Sequence, residues 1–130
     1  MPLPTAQFPD IELLLVSWLG DQGNVTGRLC TDLPAEITGT VIRVLRISGA
    51  NRSITVDRPI VDIDVFSDDY ADAIAQGLLI QNLLLFSLRA TTTPQGYVQS
   101  VSTVIGPRWL PEENQDLVRY GASYEIHAHS

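Results

Sequence analysis

From Ser67 to Arg89 the chain reads SDDYADAIAQGLLIQNLLLFSLR. Ala71, Ile74, Ala75, Leu78, Leu79, Leu83 and Phe86 recur at three- and four-residue steps, the spacing of one face of an α-helix. Asp68, Asp69 and Asp72 fall in the first turn, where carboxylates meet the positive end of the helix dipole. Ser67 is placed to cap that end, and Arg89 sets a cation at the other. Ile80, Leu84, Leu85 and Leu88 then widen the apolar stripe nearly all round. A helix of that kind needs cover on several sides. The pattern predicts a sheet against the first face, and another element or a second subunit against Ile80, Leu84, Leu85 and Leu88. Gly77 interrupts the good helix formers at a cost of about 1 kcal/mol relative to Ala, which points to a close backbone approach.

Taken in order, residues 1–9 hold three prolines and read as an extended arm. A first helix starts near Asp10, with Ile11, Leu14, Leu15 and Trp18 on one face, and ends at Gly20. Residues 27–39 are weakly patterned and read as loop. From Thr40 the period changes to two, giving strands at 41–47 and 60–66 around a glycine- and asparagine-containing loop, Gly49 to Arg58. One antiparallel register sets Ile42 and Val44 opposite Val65 and Ile63. It also brings Arg43 opposite Asp64 and Leu45 near Asp62, satisfying the apolar face and the charges together. After the long helix, residues 91–96 read as a turn and Tyr97 to Ile105 as a third strand closed by Gly106-Pro107. Val118, Tyr120, Ala122, Tyr124, Ile126 and Ala128 then alternate with Arg119, Ser123, Glu125, His127 and His129 in a last strand. The order α-β-β-α-β-β predicts a two-layer α+β fold. An antiparallel-rich sheet of about four strands packs against two helices in a single domain, residues 10–130.

Composition narrows the function more than the fold. The 130 residues suit one domain, and 45% hydrophobic content places the chain among globular proteins. Gln81 and Asn82 interrupt the best apolar run short of the about 18–20 residues that span a bilayer. The first ten residues lack a basic segment followed by an apolar block, so no signal peptide is expected. Cys30 stands alone, which excludes an internal disulfide and a cysteine metal cluster and fits a reducing, cytoplasmic site of synthesis. All eight basic residues are arginines, read as a bias toward GC-rich codons. A net charge of −7 argues against a nucleic-acid clamp and against attachment to anionic lipid.

Candidate chemistry is sparse. Asp62 and Asp64 share a strand face and could hold a divalent metal for a small hydrolase, but alternation alone generates such pairs. His127 and His129 likewise share a face without an evident third ligand. Trp109, between Arg108 and Leu110, could stack on a base, or anchor a loop to the core or to a partner. There is no nucleophile elbow and no glycine-rich phosphate loop. No catalytic residue, metal or cofactor is expected.

The segments VIRVLRISGANRS and RPIVDIDVFSDDYADA, followed by the leucine-rich helix and by GPRWLPEENQDLVRYGASYEIHAHS, resemble the tail terminators of long, non-contractile-tailed bacteriophages. The Trp-Leu-Pro-acidic turn and the arginine-only basic set look like the actinobacteriophage branch. The resemblance covers residues 10–128. It implies a structural virion protein, made in the host cytoplasm and placed at the head-proximal end of the tail. Six copies would form a ring that caps the last ring of major tail tube protein, stops tube growth and meets the head-completion connector. DNA would pass through the ring without tight binding, and no membrane would be involved. Subunit or partner contacts are then expected at Ile80, Leu84, Leu85 and Leu88, at Arg52 and Arg58 in the hairpin loop, and at Trp109 and Leu110. The alternatives are another head–tail adaptor, the hydrolase using Asp62 and Asp64, or a free-standing binding domain.

Overall fold

The two-residue period that begins at Thr40 builds a long hairpin, β2 (Thr40–Asn51) with β3 (Val56–Ser67). The computed structural model describes residues 10–51 and 56–129, the side chains of 48–51 and 56 apart. The expected arm of residues 1–9 and the hairpin-loop residue Arg52 lie outside that range. The ladder pairs Ile42 with Val65, Arg43 with Asp64, Val44 with Ile63 and Leu45 with Asp62. This register puts Ile42, Val44, Ile63 and Val65 together on one face. Both strands run further than the sequence pattern suggests, through most of the Gly49–Arg58 segment.

The expected sheet of four strands is incorrect. The sheet has six, in the order β1-β2-β3-β6-β5-β4, and it curls toward a half-barrel with two helices. β6 (Val118–His129) is central and β5 (Gly96–Leu110) lies antiparallel beside it. The two unforeseen strands, β1 (Arg28–Cys30) and β4 (Thr91–Thr93), are three residues each. β1 pairs parallel to β2, so the sheet is mixed. Neither short strand offers enough residues for a period to be seen. Gly106-Pro107 does not end β5. The strand continues to Leu110 through irregular register between Thr103 and Arg108, the kind of place where a strand tolerates proline.

Both helices pack on the face of Ile42, Ile63 and Tyr124. α1 (Ile11–Gly20) is capped by the Asp10 carboxylate, which accepts from Leu13 N, and it buries Ile11, Leu14, Leu15 and Leu19 over β1 and β2. α2 (Tyr70–Asn82) starts three residues later than Ser67, capped by Asp69, whose side chain accepts from Ala71 N and Asp72 N. It runs into a π-helical segment, Leu83–Leu88.

The burial of this helix reverses the expected faces. Ala73, Gln76, Ile80, Leu84 and Leu88 are buried, while Leu78 and Phe86 are exposed. Four-residue steps overshoot a 3.6-residue turn by about 40° each, so in a continuous α-helix this row would spread over about 120°, the width of an ordinary helix face. The wider π turn narrows that spread at Leu84 and Leu88. With that segment included, Tyr70–Leu88 is long and apolar enough to cross a membrane by length and composition, contrary to the sequence expectation. It lies along the sheet whose strands β3 and β4 it connects.

Candidate functional site

The face of the sheet away from the helices carries most of the candidate chemistry, and ion pairs consume it. Asp64, 2% exposed, accepts from Arg43 Nη2 at 3.0 Å and Arg119 Nη2 at 2.8 Å, both on Oδ2. The two guanidinium groups lie over the Phe66 ring at 5.4 and 5.5 Å. Opposite Asp64 stands Gly121, where a Cβ would come within 1.9 Å of Asp64 Oδ1. Glycine there makes room for the carboxylate. Asp62 is engaged by the Ser123 hydroxyl. His127 Nε2 meets Glu125 Oε1 at 2.8 Å, and His129 packs against Tyr97. Among the described residues no three His, Cys, Asp or Glu side chains are grouped to hold a metal. Burial pushes the Cys30 thiol up, against the pull of Arg28 and Arg43, which disfavours a nucleophilic thiolate.

Trp109 is an anchor. It belongs to β5 and stacks on Tyr70 of α2 at 4.4 Å, with Tyr120 of β6 tilted behind it at 4.8 Å. Tyr120 in turn lies under Gly77, where a Cβ would meet its ring at 2.5 Å. Gly77 therefore lets the helix backbone down onto β6. Leu110 is half-buried at the end of β5, and Leu85 and Arg58 are half-buried as well. Ile80, Leu84 and Leu88, expected at a contact surface, are instead sealed inside the subunit.

What remains for partners is at the two ends of the strand order. Tyr70, Leu78, Phe86, Val104, Ile105 and Trp109 are exposed on α2, its π extension and β5. Leu13 on α1, Leu33 in the β1–β2 connection and Ile47 on β2 are exposed on the other side. β4 covers β5 only from Gly96 to Val98, and among the described residues no strand pairs with the rest of that edge. β1 covers β2 only from Val41 to Arg43, and the Arg46 N–H beyond it donates to Glu12 of α1 at 2.8 Å. Sequence reading set Phe86 and Leu78 against the sheet because apolar residues run nearly all round this helix and the period alone does not choose between its faces. Val104 and Ile105 carried a strand signal, but only the topology reveals that their strand lies at an open edge.

Comparisons with known proteins agree with a structural role. No curated protein sequence matches the chain. Among solved structures, a chain of the particle described as "Virion of native gene transfer agent (GTA) particle" superposes with a TM-score of 0.71 at 14% identity. The match covers 92% of this chain and 95% of that chain, a likeness of fold. The profile of the family described as "Phage tail termination protein" matches residues 7–130, which is nearly the whole sequence, and the chain belongs to that family.

Proposed function

We propose that this tail termination protein works as a ring of six copies at the head-proximal end of a long, non-contractile phage tail. The ring caps the last ring of major tail tube protein, stops tube growth and offers its other face to the head-completion connector. DNA passes through without being held, and no bond is made or broken by the protein. The family match over residues 7–130 carries the reading. The engagement of Asp62 by Ser123 and of Asp64 by two arginines supports a structural role over the hydrolase alternative. The arginine-only basic set supports a host with GC-rich codons. Contacts to neighbours fall to exposed and half-exposed groups, with Leu85, Arg58, Trp109 and Leu110 among them. Arg52 is a further candidate in the hairpin loop. Infection without functional protein tests the assignment. Electron microscopy should find overlong tails unattached to heads, and tails of normal length would sink it.

A further inference from the structure

Exposed apolar side chains of this protein lie along both outer parts of one sheet, Val104, Ile105 and Phe86 on one and Leu13 and Ile47 on the other, and the two differ in their density of charge. From residue 73 to residue 111, the span holding most of α2, its π extension and β5, the only charged residues are Arg89 and Arg108. Nothing acidic guards that edge, although charges are the usual protection of an open strand. α1 and its flanks on the other side hold Asp10, Glu12 and Asp21, beside Arg28 on β1 and Arg46 on β2. A patch made for itself would be found once, on a two-fold axis. Two unlike patches on opposite edges, one nearly free of charge and one bearing charges of both signs, suit a head-to-tail contact.

We infer that the β5–α2 edge of one copy, centred on Val104, Ile105 and Phe86, docks on the α1–β2 edge of the next copy at Leu13 and Ile47. The inference rests on the ring reading and names its interface. β2 and β5 run in opposite directions within the sheet. A copy rotated about an axis along the strands therefore brings the open part of β5 antiparallel to β2 beyond Arg46, where Glu12 no longer blocks the edge. Main-chain groups left unpaired along β5 are then satisfied by the neighbour. Arg89 approaches the carboxylates of α1, while Arg108 stays on the Gly121 carbonyl of its own sheet.

Cysteine pairing in assembled particles tests this. In a Cys30→Ser background, particles are made with Val104→Cys, with Ile47→Cys and with both, then treated with a short bis-maleimide. The double variant should give a ladder of covalent multimers with a fixed top rung, and each single variant should stay monomeric. Dimers from Val104→Cys alone would mean a two-fold contact and overturn the inference. So would a double variant that enters particles normally yet stays monomeric, because the edges would then face other components. Phe86→Glu, at a side chain 78% exposed, should fold with an unchanged circular dichroism spectrum and be lost from particles. Normal incorporation of that variant would also count against the contact. Wild-type protein that is absent from particles, with the ladder still forming in solution, would remove the tail assignment and leave the interface standing.

Discussion

Asp64 holds two guanidinium groups on one carboxylate oxygen under the surface of the sheet. Removing the negative charge leaves Arg43 and Arg119 facing each other with little water between them. Breaking a fully buried pair costs about 3–5 kcal/mol. The arginines are 21% and 27% exposed, so solvent screens part of this, and Asp64→Asn should cost about 2 kcal/mol, read as a lower urea midpoint. Gly121→Ala should destabilise by about 1–3 kcal/mol, because its methyl would sit on Asp64 Oδ1. The same change should cost much less in an Asp64→Ala background, and strict additivity would refute the steric account. Tyr124 offers a test by pH. Burial pushes its phenol well above the ordinary value, with Tyr120 acting in the same direction. The unfolded chain therefore ionises first, so the stability is fully present below about pH 10 and is lost as the pH rises toward the folded value. Tyr124→Phe should flatten that alkaline loss, and an unchanged slope would assign it to other groups.

Gln76, buried in the middle of α2, ties the loop between α1 and β1 to the helix. Its Oε1 accepts from Thr26 N at 3.0 Å and Gly27 N at 3.2 Å, while its Nε2 donates to the Asn24 carbonyl at 3.3 Å. Gln76→Leu removes the partner of all three groups, but Asn24 and Thr26 are exposed and turn to water, so the cost is that of about one buried orphan, about 1–3 kcal/mol. The expected loss is about 2 kcal/mol, with faster amide exchange at Thr26 and Gly27 than elsewhere. Uniform exchange would place the loop's order in other contacts. A buried glutamine among leucines shows where sequence reading stops. The β2–β3 register was legible because Ile42, Arg43 and Val44 demand specific partners across the hairpin. The helix was legible as a helix, but not its inward face, because apolar residues run nearly all round it and the face turned to the sheet includes a glutamine, Gln76. β1 and β4 were illegible for a different reason. Arg28–Cys30 and Thr91–Thr93 become strands only because β2 and β5 offer them an edge. The Asp62–Asp64 pair was visible, whereas its arginine from β6 came from 55 residues away.

In the proposed ring, a charge of −7 per subunit works against holding DNA, since affinity comes from basic contacts that release counterions. Fluorescence anisotropy with duplex DNA at low salt should show no sub-micromolar binding, and such binding would contradict the passage of DNA without capture. The unlike edges of the sheet reach further. Copies joined edge to unlike edge close under rotation alone, with no two-fold axis lying in the plane of the ring. Such a ring has an obverse and a reverse that share no surface. The obverse can then match the end of the tube while the reverse is shaped for something else, and a second tube ring finds nothing to stack on. Growth of the tail would then halt because the reverse does not repeat the surface of the tube, like a thread ended by a knot that has a front and a back.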